Sequence, residues 1–239
     1  MIKLALFGAG RIGKIHGHNV VLNPHAELVA LHDPYQPNAD SLSAALGCAQ
    51  MTPQDIFSDA SIDGVLVCSA TDTHADLIEQ AVASGKHVFC EKPIDLSLAR
   101  VQQVVAKVNT SPIISMLAFN RRFDSNFALL QQRIAAGDIG DVELVSIISK
   151  DPSPPPVDYI NVSGGLFRDM TIHDFDMARF LLGEDAVQVT AQASCLVDPA
   201  IGLAGDVDTA LVTLRTASGK LAQISNSRRA SFGYDQRFE

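Results

Sequence analysis

Three ionisable side chains within one apolar segment are the strongest sign of chemistry in this sequence. Asp169, His173 and Asp176 are spaced by four and three residues in the stretch from Gly164 to Glu184. In an α-helix, these spacings place all three side chains on one face. A carboxylate one turn from an imidazole can hold one tautomer of the ring and help it accept a proton near neutral pH. The same segment is also typical of a capped helix with a solvated polar stripe, and the rest of the chain has to decide between the two.

The first residues of the chain form a pattern that is typical of a dinucleotide site. The apolar run Leu4 to Phe7 leads into the sequence GAGRIG at 8–13, and a helical pattern follows. The first glycine permits a tight turn, the second lets the backbone approach a pyrophosphate, and the third lets the helix pack closely on the strand. The helix N-terminus offers free N–H groups to the phosphates. We therefore expect cofactor contacts from Gly8, Gly10, Arg11, Ile12 and Gly13.

An acidic residue at the end of the second predicted strand favours NAD over NADP. The strand Leu28 to Leu31 closes on His32 and Asp33. A carboxylate at this place can accept hydrogen bonds from the adenosine ribose hydroxyls, and it would repel a 2′-phosphate. The following residues, Pro34 and Tyr35, offer no cation to compensate. The alternative is that Asp33 is an ordinary turn residue at the end of a strand.

The first half of the chain alternates between apolar runs and helical patterns. Further strands are predicted at 64–68, 87–90 and 113–117, with helices at 73–84 and 96–109 between them. Near-continuous apolar strands separated by helices are typical of a parallel sheet that is covered on both faces. The fold class is therefore α/β, with an N-terminal Rossmann domain that contains a doubly wound parallel sheet.

Polar residues follow two of these strands, where ligands bind in sheets of this kind. The segment 69–74 either lines the nicotinamide half of the cofactor or caps the next helix through Asp72 or Thr73. After the next strand comes Glu91-Lys92-Pro93. Proline restrains the residue before it to extended geometry, which would hold Lys92 at the strand end. The cofactor contacts expected from these two segments are Ser69, Thr71, His74, Glu91 and Lys92.

The second half of the chain predicts a different architecture. A helix ends near Gly137, a strand-like alternation covers 142–149, and a proline-rich loop covers 152–157. A helix from Asp169 to Gly183 follows, and then strands at 187–196, 209–214 and 220–225. This order indicates an α+β domain with a mainly antiparallel open sheet. We therefore expect an NAD-binding domain at 1–120 and an α+β domain at 121–239.

Composition excludes several classes of function. The chain has 239 residues, 47% of them hydrophobic, and a formal net charge of −9, which argues against nucleic acid and anionic membranes as partners. No apolar run has the length of a membrane span, and the first residues do not resemble a signal peptide. The histidines show no metal-ligand pattern, so no metal is expected. The four cysteines show no paired spacing either, which predicts reduced thiols in a cytoplasmic protein.

Four motifs together give the sequence a specific resemblance. GAGRIG, the EKP triplet, NRRFD and the pattern GG…D-x-x-x-H-D occur in the order found in the glucose–fructose oxidoreductase / inositol dehydrogenase (Gfo/Idh/MocA) family. The chain resembles this family over essentially its whole length. Within the family, the segment 151–184 is most similar to bacterial myo-inositol dehydrogenases.

The resemblance implies a set of residue roles. Lys92, Asp169 and His173 would do the chemistry, and the Lys92–Pro93 bond would be cis. His173 would take the hydroxyl proton, Asp169 would orient it, and Lys92 would donate a hydrogen bond to the substrate oxygen. The polyol contacts would be Arg122 and Asp176, with weaker candidates at Asn161, Asn226 and Arg228.

The reaction that follows is NAD-dependent oxidation of a secondary hydroxyl of a cyclic polyol, from myo-inositol to 2-keto-myo-inositol (scyllo-inosose). Alternative readings keep the fold but change the substrate to scyllo-inositol, a rhizopine-like derivative or an aldose. Another is a non-catalytic regulator that senses NAD and a sugar. The resemblance also implies a homotetramer built through the open sheet. Because family members usually run longer, we expect a C-terminally truncated chain with exposed sheet edges; an inactive fragment is the remaining alternative.

Overall fold

The computed structural model describes residues 1–239, and the chain forms two compact units. The first unit is Met1–Ala118 and the second is Phe119–Glu239. Each unit has its own sheet and its own hydrophobic core. No helix is long and apolar enough to cross a membrane.

The first unit is a Rossmann fold, as predicted. Its six strands are all parallel and lie in the order β3-β2-β1-β4-β5-β6. In a sheet with this order, ligands bind at the strand ends beside the switch point between β1 and β4. The elements are β1 (Ile2–Phe7), α1 (Arg11–Leu22), β2 (Ala26–His32), α2 (Gln36–Leu46), β3 (Ala49–Gln50), α3 (Pro53–Ser58), β4 (Gly64–Val67), α4 (Thr71–Ala83), β5 (His87–Cys90), α5 (Leu98–Asn109) and β6 (Ser115–Leu117).

The apolar strands of this sheet bury both of their faces. Ala5 and Phe7 of β1 pack into one core cluster, whereas Leu6 between them packs into a second cluster on the opposite face. All four residues of β4 are buried. The continuous apolar runs in the sequence thus reflect a sheet that helices cover on both sides.

The start of α4 differs from the sequence expectation. The N-cap is Ala70, and no side chain caps the helix, so the predicted cap by Asp72 or Thr73 is wrong. The Thr73 hydroxyl instead donates to the Ala70 carbonyl at 2.7 Å and lies 2.6 Å from the Ser69 hydroxyl. These two hydroxyls therefore stabilise the loop after β4 rather than the first turn of the helix.

The second unit is an α+β structure with a five-stranded sheet. The strand order is β11-β7-β10-β9-β8, and every neighbouring pair is antiparallel except the pair β7–β10. The predicted mainly antiparallel sheet is thereby confirmed. The elements are a 3₁₀ turn (Asn120–Phe123), α6 (Ser125–Ala135), β7 (Leu144–Lys150), α7 (Val157–Ser163), a π turn (Phe167–Thr171), α8 (Ile172–Leu182), β8 (Ala186–Ser194), α9 (Pro199–Leu203), β9 (Thr209–Thr216), β10 (Leu221–Ser227) and β11 (Asp235–Phe238).

One face of this sheet forms the core of the second unit. Strands β7, β9 and β10 alternate between buried and more exposed positions, and their buried side chains cluster with Met177, Ala178, Leu181 and Leu182 of α8. The edge strand β8 is exposed at every position. Helix α8 is therefore held firmly against the sheet by its apolar side.

The segment with the three ionisable residues is not one regular α-helix. The predicted helix from Asp169 to Gly183 begins as the π turn Phe167–Thr171 and continues as α8. In a π turn the hydrogen bonds run from i to i+5, so the turn is wider than an α-helical turn. Asp169 therefore lies in the π turn, while His173 and Asp176 lie in α8, which corrects the single α-helical face expected from the spacing.

Candidate active site

The glycines of the loop after β1 leave no room for any other residue at two positions. Gly8 has a φ of +94°, and a Cβ there would lie 2.5 Å from the Cys68 carbonyl oxygen. A Cβ on Gly13 would lie 1.8 Å from the Gly8 carbonyl oxygen. A Cβ on Gly10, in contrast, would meet nothing within 4 Å. Gly8 and Gly13 therefore shape the loop, and Gly10 leaves open space above the backbone.

The open space over Gly10 lies at the N-terminus of α1. Arg11 and Ile12 begin this helix, and no side chain caps it. The first N–H groups of the helix are therefore left to bind a ligand or water, and phosphate is the ligand that such a helix end favours. The loop and helix together fit the pyrophosphate of a dinucleotide.

Asp33 connects this loop to the end of β2. Its Oδ2 accepts a hydrogen bond from the Ala9 amide at 2.6 Å, and its Oδ1 accepts one from the Tyr35 amide at 2.8 Å. Each carboxylate oxygen has two lone pairs, so Asp33 keeps acceptor capacity for ribose hydroxyls. The carboxylate thus fixes the loop and is also suited to the adenosine ribose.

His74 holds two neighbouring strand ends together. The ring is 2% exposed, with Nδ1 2.8 Å from the Pro93 carbonyl oxygen and Nε2 3.0 Å from the Ser69 carbonyl oxygen. The cofactor contact expected of His74 stays a prediction. In the structure its ring bridges the loop after β4, which carries Ser69, to the loop after β5. Thr71 is the first residue of α4.

The loop after β5 carries Glu91 and Lys92. The Lys92–Pro93 peptide bond is cis, as the resemblance implied. Oε1 of Glu91 lies 2.8 Å from Nε2 of His16, which projects from α1 and packs edge-on against Phe89. The sequence did not predict a role for His16, because its partner is 75 residues away.

The cysteines of the chain are all free. Burial, reinforced by the Glu91 carboxylate, raises the pKa of the Cys68 thiol to about 12. Burial likewise raises the pKa of the Cys90 thiol. These thiols therefore stay protonated and act as small apolar core residues.

In the second unit, the side chains of Tyr159 and Arg228 contact the Asp169 carboxylate. The Tyr159 hydroxyl on α7 donates to Oδ1 at 3.0 Å, and Nη1 of Arg228 lies 3.5 Å from Oδ2. His173 lies in the first turn of α8, half-buried, with the Phe119 ring perpendicular to it at 6.4 Å between centroids. Neither Tyr159 nor Phe119 stood out in the sequence.

The two predicted polyol contacts, Arg122 and Asp176, are bound to each other. Nε and Nη2 of Arg122 donate to the two oxygens of Asp176 at 2.7 and 2.6 Å. The hydrogen bond to Asp176 raises the pKa of Arg122, whose guanidinium also lies 4.8 Å from the centroid of the Phe180 ring. Asp176 is only 5% exposed. Each of its carboxylate oxygens keeps a lone pair that Arg122 does not use, and a substrate hydroxyl could donate to it. Asn161 is exposed on α7.

A second Arg–Asp pair lies deeper and was missed by the sequence reasoning. Arg121 pairs with the fully buried Asp174 and also donates to the Ser149 hydroxyl at 3.0 Å. The side-chain amide of Asn226 donates to Asp174 at 2.7 Å. Burial raises the pKa of Asp174, opposed by Arg121 and Asn226. Asn226 therefore belongs to a buried network; the adjacent pairs in NRRFD and HDFD were the only signal for it.

Comparisons with known proteins identify the family. Residues 2–119 match the description "Oxidoreductase family, NAD-binding Rossmann fold", and residues 127–239 match "GFO/IDH/MocA C-terminal domain". The chain belongs to the GFO/IDH/MocA oxidoreductase family. Its first unit is thus an NAD-binding Rossmann domain, and NAD is the cofactor that the glycine loop and Asp33 fit.

Individual relatives of this GFO/IDH/MocA oxidoreductase are inositol dehydrogenases. An inositol 2-dehydrogenase from Rhizobium meliloti (strain 1021) is 55% identical over 100% of this chain and 72% of its own length. A crystal structure of a myo-inositol dehydrogenase from Corynebacterium glutamicum is 46% identical, with a TM-score of 0.95 over 100% of this chain and 72% of that one. A scyllo-inositol dehydrogenase from Lactobacillus casei, solved with NAD(H) and scyllo-inositol, is 32% identical, with a TM-score of 0.89 over 100% and 73%.

Proposed function

We propose that the protein oxidises a secondary hydroxyl of myo-inositol with NAD and forms 2-keto-myo-inositol (scyllo-inosose). The observation that carries this proposal is the Asp169 and His173 pair, with Asp169 held by Tyr159 and Arg228, in a chain whose other unit has an intact NAD loop. The inositol 2-dehydrogenase from Rhizobium meliloti, at 55% identity over the whole chain, supports this choice of substrate.

Each proposed catalytic residue has a distinct role. NAD, when bound, accepts the hydride from the carbinol carbon. His173 accepts the hydroxyl proton as general base, and Asp169 orients the imidazole and stabilises its charged form. Lys92 donates a hydrogen bond to the substrate oxygen and stabilises the negative charge that develops there. Arg122, Asp176 and Asn161 are proposed to bind further hydroxyls of the ring.

The closest competing substrate is scyllo-inositol, which the Lactobacillus casei relative has bound in its crystal structure. The two isomers differ in the orientation of one hydroxyl, so both can present a secondary hydroxyl to the same base. Measuring kcat/KM for the two isomers side by side, with NAD and with NADP, assigns the substrate and the cofactor. If no NADH forms with either isomer, the result contradicts the proposed function and favours a non-catalytic regulator that senses NAD and a sugar.

Replacement of His173 tests the mechanism. We expect His173→Ala to lower kcat with myo-inositol by about a hundredfold or more, because the general base is lost, while the Kd for NAD stays unchanged. NADH absorbance reports kcat, and calorimetry reports the Kd. His25→Ala, at an exposed histidine before β2, is the matched control and should behave as wild type. Turnover close to wild type in His173→Ala would remove His173 from the mechanism.

We also propose that the protein works in the cytoplasm as a homotetramer. Four free thiols support a reducing compartment. Exposed apolar side chains on the strands of the second sheet support self-association, among them Val187, Val189 and Leu211, which are 65%, 62% and 52% exposed. Light scattering of the purified chain measures its mass directly, and a monomeric mass would contradict the assembly.

A further inference from the structure

Arg228 is an almost fully buried cation beside the carboxylate of Asp169. It follows directly after β10, its side chain is 1% exposed, and its own amide donates to the Asp208 carbonyl at 2.8 Å. An isolated buried guanidinium would cost several kcal/mol, so such a group persists only with compensating charge around it.

Three carboxylates supply that charge. Nη1 lies 3.5 Å from Oδ2 of Asp169 and 4.0 Å from Oδ2 of Asp151, and Nη2 lies 3.8 Å from Oδ2 of Asp206. These distances lie at or beyond the limit of a hydrogen bond, so the contacts are mainly electrostatic. One buried cation therefore faces three anions that come from the π turn, from the end of β7 and from the segment before β9.

Two of these carboxylates fix the π turn. Both oxygens of Asp206 accept from the Leu166 amide, at 3.1 and 3.0 Å, immediately before the π turn begins. Asp169 lies inside the turn, and its other oxygen accepts from Tyr159. By facing Asp206 and Asp169 together, Arg228 holds the start of the turn and the carboxylate that the turn presents.

We propose that Arg228 is a positioning residue, which fixes the Asp169 carboxylate and supplies the buried positive charge that tunes proton uptake at His173. This inference rests on the proposed function, because it assigns Arg228 a role through the Asp169 and His173 pair. It differs from the polyol contact that the family resemblance suggested for Arg228, since a side chain 1% exposed offers no surface to a substrate.

The surrounding charges define the sign of the effect. Burial raises the pKa of Asp151, Arg228 lowers it, and Asp169 raises it. Of the buried pair, Arg121 lowers this pKa and Asp174 raises it. Tyr159, whose hydroxyl donates to Asp169, is a further titratable group there. Loss of the Arg228 charge favours protonation of the neighbouring groups, whereas loss of a carboxylate disfavours it.

Three variants separate this role from a purely structural one. Arg228→Lys keeps the charge, Arg228→Met removes it and keeps most of the apolar stem, and Asp206→Asn removes a negative charge while its amide oxygen still accepts from Leu166. The readouts are the pH dependence of kcat/KM and an NMR titration of the His173 ring, assigned by its absence in His173→Ala. Circular dichroism checks that each variant is folded.

We expect the His173 titration midpoint and the acidic limb of kcat/KM to move up by about one pH unit in Arg228→Met. Both should move down in Asp206→Asn and stay within about 0.3 unit of wild type in Arg228→Lys. If Arg228→Met does not fold, the direction in which the His173 titration midpoint moves in Asp206→Asn tests the proposal instead. Unmoved midpoints, or shifts of the opposite sign, would overturn the positioning role.

The NMR titration does not require turnover. It therefore tests the role of Arg228 independently of the proposed dehydrogenase function. A wild-type protein that reduces no NAD with either inositol would contradict the proposed function. The histidine titration would still show whether Arg228 controls proton uptake at His173. Conversely, normal turnover with unmoved titration midpoints would leave the dehydrogenase in place and remove only the role of Arg228.

Discussion

Two lysines flank β5 and have different roles, one in the fold and one in the proposed reaction. Lys86 is 4% exposed, and its ammonium donates to the Asp59 and Ile62 carbonyls at 2.6 and 2.8 Å. Lys92 lies at the other end of the strand, beside the cis bond to Pro93, and is half-buried. The first closes a loop of the fold, and the second is proposed to act on the substrate oxygen.

Methionine replacements at these two sites therefore test two different roles. We expect Lys92→Met to lower kcat by about a hundredfold, because charge stabilisation at the substrate oxygen is lost. Lys86→Met should cost about 2 kcal/mol of stability, because two buried carbonyls lose a charged donor. Kinetics and thermal unfolding of both variants make the comparison. Full turnover in Lys92→Met would refute the role proposed for this lysine.

At this scale, the sequence could predict residues whose partners are near in the chain or whose motifs are specific. The glycine loop is of this kind. Arg228 is 59 residues from Asp169, and Arg121 is 53 residues from Asp174, so local sequence does not show which residues bind each other. Which of two adjacent arginines binds which aspartate is decided by the fold of the second unit.

The loop between β1 and α1 is the element that the sequence predicted best. A GxGxxG pattern between a strand and a helix demands a tight turn and close helix packing, and the structure shows them at Gly8 and Gly13. The π turn before α8 was not predictable in the same way. Apolar periodicity indicates a helix but does not distinguish hydrogen bonds to i+4 from those to i+5. What shapes the start of that segment is Asp206, distant in sequence, whose carboxylate would lie 2.5 Å from a Cβ on Gly165.

Alanine replacements within the β1–α1 loop test whether Gly10 and Gly13 have different roles, one in NAD binding and the other in the shape of the loop. A Cβ at Gly10 meets nothing in the protein, whereas at Gly13 it would clash with the Gly8 carbonyl at 1.8 Å. We expect Gly10→Ala to keep its Tm within about 2 °C but to weaken NAD binding by tenfold or more, since the methyl group occupies the space of the pyrophosphate. Gly13→Ala should lose both stability and NAD binding. Equal effects of the two variants on Tm would contradict this assignment.

For the whole molecule, the order of elements was predictable because the two sheets leave different sequence patterns. Buried parallel strands give continuous apolar runs, as in β4 and β5, and the sheet of the second unit gives alternation, as in β7. Five elements were missed, namely α2, β3, α3, α7 and α9. All of them except α2 have seven residues or fewer, which is too few for a long periodic pattern. The predicted fold class nevertheless agrees with both units.

The response of the molecule to acid depends on carboxylates with opposite pKa shifts. Asp208 is fully buried; burial raises its pKa, but the amides of Leu196, Asp198 and Val197 outweigh this and lower it to about 2. Asp174 and Asp151 have raised pKa values, chiefly because they are buried. On acidification, protonation of Asp208 therefore destabilises the fold. Protonation of Asp174 and Asp151 removes the free-energy cost of burying their negative charges.

The sign and pH window of the Asp208 contribution follow from linkage. The pKa of this carboxyl falls from 3.8 to about 2 on folding, so its stabilisation is present above about pH 4 and is lost as the pH falls towards 2. The shift corresponds to about 2 kcal/mol at neutral pH. Asp208→Asn should therefore lower the Tm at pH 7 and flatten its decline between pH 4 and 2, measured by calorimetry. Asp141→Asn, at an exposed aspartate of the same unit, controls for net charge and should follow the wild type across this range. A decline in Asp208→Asn as steep as in the wild type would mean that other carboxylates govern acid unfolding.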